Sequence, residues 1–258
     1  SHFDWCIMRI AVGTVSFVLQ NRKNQGDKGV YSYLNRSDVD MDKEIPYSFP
    51  NKENGRFSHM LQSDFLRIPG SPIGYWVSQR FIDNFKSEKI ENTSEVITGM
   101  TIGDNVKYLR LWYETDYKRI SINKSSMSDV AIQHAYWIPY SKGGERRQYY
   151  GNFDHVVNWS MRDNFNRAKK SLSHLYLRKA LTWPFVTSGK FSARYLPEGS
   201  LWDVAGSPCF FENDKDLKYV LGFLNSDVAD YILSVSNPTI NVQAIDVKHL
   251  PYICNNQD

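Results

Sequence analysis

The chain has 258 residues and a mass of 30.0 kDa, enough for one large domain or two modest ones whose core needs no staples. Its three cysteines, Cys6, Cys209 and Cys254, are an odd set without paired spacing, which argues against a disulfide framework or a four-cysteine zinc site. No apolar run approaches the ~20 residues of a spanning helix, so the expected setting is a reducing cytoplasm without a membrane partner. The net charge of +3 conceals a basic block, residues 137–200 with 11 Lys+Arg against 4 Asp+Glu, and an acidic tail, residues 201–258 with 3 against 8; this distribution fits a polyanion-facing surface and equally a solvated basic face.

In chain order, Ile10–Gln20 (IAVGTVSFVLQ) is a near-continuous apolar run that predicts a buried strand. The polar turn with Gly26 and Gly29 leads into VYSYL at 30–34, so residues 10–34 read as a hairpin or two neighbouring strands. Residues 35–64, polar and holding Pro46 and Pro50, read as a linker or ornamented loop and place a domain boundary at 62/63. Pro69, Gly70 and Pro72 force an extended turn, after which Tyr75, Ile82 and Phe85 recur at helical spacing. The runs at 106–114, 156–159, 183–187 and 201–205 read as strands, and 160–181 as a basic, partly helical stretch. Leu217, Val220, Leu221 and Leu224 predict a buried helical stripe with Lys215 and Lys218 outside. That helix stops at Asn225, and Ser226 and Asp227 cap a second one through Leu233 that closes at Asn237-Pro238. The expected class is mixed α/β (α+β), a twisted, mainly antiparallel sheet flanked by helices.

Nucleotide-binding glycine loops, an H-E-x-x-H pair, a C-x-x-C pair and a G-x-S-x-G elbow are all missing from the sequence. Six scattered histidines show no metal-ligand spacing. Asp203 with Asp216 and Lys218 resembles a metal-nuclease acid–acid–lysine set only loosely, because the latter two fall at a helix start. The positive signal lies in WIPYSKGGERRQYYGN (137–152). There two glycines expose backbone amides beside Lys142, Arg146 and Arg147, with Tyr149 close behind, a combination suited to phosphate and base edges. TSGKFSARY (187–195) adds Lys190 and Arg194 in a turn, which also reads as an ordinary hairpin with a solvated tip. With Asn105 as a polar candidate in the 101–105 loop, these seven residues form the expected DNA-contacting set.

Five long stretches follow one another in order: IPGSPIGYWVS (68–78), TGMTIGDNVKYLRLWYE (98–114), WIPYSKGGERRQYYGN (137–152), TWPFVTSGKFSARYLPEGSLWDVAGS (182–207) and LGFLNSDVADYILSVSNPTINVQAIDVKHLP (221–251). Together they resemble the C-terminal half of the large adenine-specific DNA methyltransferases of BREX phage-defence systems, the PglX family. The last stretch is also similar to the closing element of target-recognition domains in restriction–modification specificity subunits. The resemblance implies an S-adenosylmethionine-dependent parent. This chain lacks both the Gly-rich cofactor loop and the Asn/Asp-Pro-Pro-aromatic motif that holds a flipped adenine; Asn237-Pro238-Thr239-Ile240 has only the first two letters.

The chain therefore reads as an excised segment: catalytic-domain tail strands and a linker at 1–62, then a DNA target-recognition domain at 63–258. It carries no catalytic group, cofactor site or metal site of its own. The implied partners are double-stranded DNA and the parent's catalytic domain, with other defence-system proteins or phage inhibitors as further partners. A protein-interaction platform and a divergent nuclease are the alternatives, so whether the segment is an enzyme stays open.

Overall fold

Internal contacts separate the chain into Ser1–Lys86 and Ser87–Asp258, and this computed structural model describes residues 2–3, 14–21, 26–132, 136–187 and 189–253. The class is mixed α+β, with mostly antiparallel sheets flanked by helices. Among the described residues no helix is long and apolar enough to cross a membrane.

The first unit holds β1 (His2–Phe3), β2 (Thr14–Val15), β3 (Lys28–Leu34), β4 (Val39–Asp40), β5 (Ile45–Pro46) and β6 (Phe57–Leu61), followed by α1 (Gln62–Phe65) and α2 (Gln79–Asp83). Its sheet runs β2-β1-β3-β6, so β1 separates the two segments read as a hairpin: β1 is antiparallel to β2 and parallel to β3. The long partner of β3 is β6, paired Lys28↔Leu61 through Ser32↔Phe57. Within 35–64, residues 57–61 are thus a strand of this sheet rather than linker. Asn35 and Asp38 close a capping box, and β4 and β5 pair with each other. The predicted buried strand at 10–20 falls partly outside the described residues. In its described part only Thr14–Val15 are strand, at the edge of the sheet, and Phe17, Val18 and Leu19 beyond it are 72%, 97% and 79% exposed rather than buried. Ser78 caps α2 by accepting from the Phe81 amide, which sends Phe81 and Ile82 into a core with Leu34, Phe65 and Ile68.

The second unit opens with α3 (Ile90–Thr93), β7 (Ser94–Val96), α4 (Asn105–Tyr108), β8 (Leu109–Leu111) and α5 (Met127–Ile132). It continues through β9 (Trp137–Ser141), β10 (His155–Asn158), β11 (Ala180–Thr182), β12 (Arg194–Leu196), β13 (Leu201–Trp202) and β14 (Pro208–Phe211), and ends in α6 (Asp214–Leu224), α7 (Asp227–Ser236) and α8 (Ala244–Lys248). Two four-stranded sheets result, ordered β13-β9-β10-β8 and β12-β11-β14-β7, in which β13–β9 is parallel and the other pairs are antiparallel. Met100, Ile138, Val157, Leu175, Leu201, Trp202 and Phe210 belong to one buried cluster. Trp202 meets the rings of Tyr176 and Phe210 edge-on, at 5.6 and 5.2 Å between centroids. Burying aliphatic and aromatic side chains of this size contributes about 1.5–3 kcal/mol each.

Three strand expectations shift for local reasons. Asp104 accepts from the Lys107 amide and caps a helical turn at 105–108, which leaves only 109–111 as strand. Asp203 accepts from the Ala205 amide and ends β13 after two residues. At 183–187, Pro184 has no amide to give a ladder. The strand lies earlier, at Ala180–Thr182, while Thr187 N donates to Ile240 O (2.8 Å) and Val242 N to Phe185 O (2.8 Å).

The C-terminal helices follow their sequence signals. Asn213 and Ser226 cap α6 and α7, and Asn225 ends α6. Leu217, Val220 and Leu224 are buried, whereas Leu221 is only half-buried; Lys215 and Lys218 are exposed.

Candidate nucleic-acid interface

Strand β9 delivers Lys142 at its end, and a buried carboxylate meets it there. Asp203, 1% exposed, accepts from Lys142 Nζ (2.8 Å) and Tyr140 OH (2.9 Å) on Oδ2 and from the Ala205 amide (2.9 Å) on Oδ1. Burial, then the Asp203 charge, pushes the Tyr140 hydroxyl well above its usual value, so it stays a donor. Lys142 is thereby spent inside the fold as the base of a loop.

Beyond Lys142 the chain turns through Gly143 at φ +86° and Gly144 at φ +87°. A side chain at Gly143 would strike the Ala205 carbonyl oxygen, so both its backbone angle and its crowding require glycine. The Gly143 carbonyl accepts from Arg194 Nη2 (2.9 Å) and Asn152 Nδ2 (2.8 Å), and the Glu145 carbonyl accepts from Asn152 Nδ2 (2.8 Å) and Arg194 Nη1 (3.4 Å). Arg194 is 0% exposed. Desolvation, with the Arg147 charge behind it, lowers its pKa to about 10. A guanidinium sealed inside on two carbonyls does not reach a phosphate in solvent, so Arg194 leaves the expected contact set and becomes the clasp of the loop.

Two loops are then joined edge to edge. Arg146 Nε donates to Lys190 O (3.0 Å), Tyr149 N to Ala193 O (2.9 Å) and Tyr195 N to Tyr149 O (2.9 Å). The last two bonds hold Tyr149 at φ +67°, a backbone state that a bulky residue seldom keeps without such support. The junction of α6 and α7 grips the second loop. Asn225 Oδ1 accepts from Ala193 N (3.1 Å), its Nδ2 donates to Ala193 O (2.9 Å), and Asp230 accepts from the Phe191 amide (2.8 Å). Lys190 Nζ sits 2.6 Å from Asp227 Oδ1 at the start of α7, and this exposed pair raises the lysine pKa.

Arg146, Arg147, Tyr149 and Lys190 therefore share one exposed loop pair, with Lys142 paired at its base and Arg194 buried beneath it. Asn105 does not join them. The register aligns Leu109 with Val157 and Val157 with Ile138, so Asn105, just before β8, lies at the opposite end of that sheet from Lys142. Sequence reasoning missed Asn225, Asn152 and Asp203 as the residues that fix the loops. Asn225 was legible only as a helix stop, and Asp203 only as part of a loose nuclease set. Asp216 of that set instead accepts from Tyr252 OH (2.7 Å) and from Asn213 Nδ2 (2.8 Å). Among the described residues no three His, Cys, Asp or Glu are grouped to hold a metal ion.

No protein-family model matches the chain. It is 34% identical over 257 residues to the adenine-specific methyltransferase PglX of Lacticaseibacillus casei (strain Zhang), a match covering 93% of this chain and 21% of the relative. It is 33% identical over 250 residues to the adenine-specific methyltransferase BrxX of Escherichia coli O9:H4 (strain HS), covering 95% of this chain and 20% of that protein. The chain spans about a fifth of the length of the curated relatives it matches.

Proposed function

We propose that this chain, a segment belonging to the adenine-specific methyltransferases of the PglX and BrxX kind, recognises double-stranded DNA for a parent enzyme of cytoplasmic phage defence and is itself non-catalytic. One observation carries the reading. Arg146, Arg147, Tyr149 and Lys190 are exposed on two loops that are pinned to each other and to α7 before any ligand arrives. Pre-fixed loops lose little entropy on binding. The arginines suit phosphate oxygens or guanine edges, the tyrosine a phosphate or a base face, and Lys190 a phosphate once Asp227 lets it turn. The recognition role is assigned to the second unit.

Adenine methylation and S-adenosylmethionine are assigned to the remaining length of the parent. The turn that feeds α6 from β14 carries no glycine, and Asn213 caps the helix there by accepting from the Asp216 amide, so this turn is not offered as a cofactor loop.

The test replaces Arg146, Arg147 and Lys190 together by Ala in the full-length parent and measures duplex affinity and target-site methylation. The reading expects weaker binding on all sequences. If one of the arginines reads a base, that position loses its preference by a factor of about 5–150, the equivalent of ~1–3 kcal/mol. Unchanged affinity and unchanged site choice would make the loops a solvated face and move the protein-interaction platform ahead.

A further inference from the structure

The first unit contains an open cleft of about 560 Å³, within the usual ~300–1,000 Å³ of small-ligand sites. β3 contributes Tyr33, the start of β6 contributes Arg56 and Phe57, and the turn before α2 contributes Tyr75 and Trp76. Its aromatic wall is set in advance. Tyr75 stacks on Tyr31 at 5.1 Å and 9°, and Trp76 stands edge-on to Tyr75 at 5.2 Å while remaining 55% exposed. A tryptophan held against a fixed ring yet open to water is an unfilled stacking platform.

The cations are fixed on rings as well. Arg56 is ion-paired to the buried Asp38 and lies 5.8 Å from the Tyr33 ring centroid, and its Nε is buried without a hydrogen-bond partner. Lys52 Nζ is 5.7 Å from the centroid of Phe57. Among the described residues no Asp or Glu lines the cleft. Flat π surface, a guanidinium edge whose charge Asp38 balances, and the exposed Lys52 ammonium beside Phe57 suit a ligand that is planar, aromatic and attached to an anion.

We propose that this cleft takes one unstacked nucleotide of a single DNA strand, its base against Trp76 and its phosphate toward Lys52 and Arg56. A free nucleotide polyphosphate fits less well, since the described lining has one glycine, Gly55, and the short helix that follows Val77 is already capped by Ser78. A strand whose neighbouring nucleotides run on outside matches an open cleft and the sequence-tolerant stacking of single-strand binders. The inference goes beyond duplex recognition and stands without it.

The test titrates the 258-residue chain at low salt with a labelled single-stranded hexanucleotide and with the same strand made abasic throughout. The expected result is that Trp76→Ala and base removal each weaken binding by about 5–150-fold, the loss of one base–aromatic stack. Applied together they should cost no more than either alone, and Trp76→Phe should retain most of the affinity. If Trp76→Ala does not fold, the abasic strand on the unsubstituted chain decides. Arg146→Ala/Arg147→Ala, which disables the loop pair of the second unit, should leave the Trp76 dependence intact, so failure of the recognition reading is told apart from failure of this one. The proposal is overturned if the hexanucleotide does not bind, if the abasic strand binds equally well, or if a folded Trp76→Ala chain binds like the unsubstituted one.

Discussion

Replacing Asp203 by Asn changes one atom and removes the acceptor that holds three donors. In the folded chain Oδ2 faces Tyr140 OH and Lys142 Nζ, while Oδ1 faces the Ala205 amide. An amide cannot satisfy this arrangement in either orientation. With its oxygen toward Ala205 the NH2 group meets a hydroxyl donor and an ammonium; flipped, it meets the Ala205 N–H. Breaking a buried ion pair by removing one charge costs about 3–5 kcal/mol. Lys142 keeps 28% of its side chain exposed, which points to the lower end, about 3 kcal/mol. For a unit of this size that lowers the melting temperature by about 6–12 °C. Thermal unfolding followed by circular dichroism measures it, with Asp227→Asn as the control. Asp227 makes its ion pair with 87% of its side chain exposed, and such pairs contribute little. If Asp203→Asn melts within 2 °C of the unsubstituted chain, or no lower than Asp227→Asn, the buried cluster is not what anchors the Lys142 loop.

Further outcomes follow from the same packing. Leu224→Ala, at a fully buried position on α6, should cost about 2–5 kcal/mol, and Leu221→Ala clearly less, since Leu221 is half-buried; urea unfolding of the two variants ranks them. Asn225→Ala removes both side-chain bonds to Ala193, so amide hydrogen exchange should quicken at residues 190–194, while exchange in β9 and β10 stays as it was. Stability should fall at high pH. Burial pushes Cys209 up from 9.0 to about 12 and Tyr75 and Tyr176 up from 10.0 to about 12. The folded state therefore holds these protons longer than the unfolded one, and their stabilisation is complete below pH 9 and lost between about 9 and 12. Cys209→Ala should flatten the first part of that decline in an unfolding series across pH.

How much of this was legible in the sequence depended on the range of the interactions. Ser226 and Asn225 cap α7 and end α6 through bonds to residues three or four places away, and those limits read correctly, whereas α6 starts at Asp214 under an Asn213 cap rather than at Asp216. The strands at 106–114 and 201–205 were overextended because Asp104 and Asp203 each cap a short turn inside an apolar run, where local side-chain bonding outweighs β propensity. Residues 35–64 looked like a linker because β6 alternates weakly, and its pairing with β3 across 25 or more residues carries no local signal. In the candidate interface the basic–aromatic composition singled out two loops that the structure joins to each other. It could not separate Arg146, exposed, from Arg194, buried on the Gly143 and Glu145 carbonyls, because that difference is made by contacts some 50 residues apart. The aromatic cleft gave no sequence signal at all, since Tyr33, Phe57 and Trp76 come together only through the sheet and the turn before α2.

The central claim is that the exposed loop arginines meet DNA phosphates, and the salt dependence of duplex binding tests it most directly. In the full-length parent, log K against log salt concentration is compared for the unsubstituted protein, for Arg146→Ala/Arg147→Ala, and for Lys218→Ala on the outer face of α6 as a control. Each phosphate contact contributes about 0.9 to the slope, so the double variant should be shallower by about 1.8, with weaker binding at every salt concentration and the control unchanged. A double variant with the same slope and affinity as the unsubstituted protein would contradict the account.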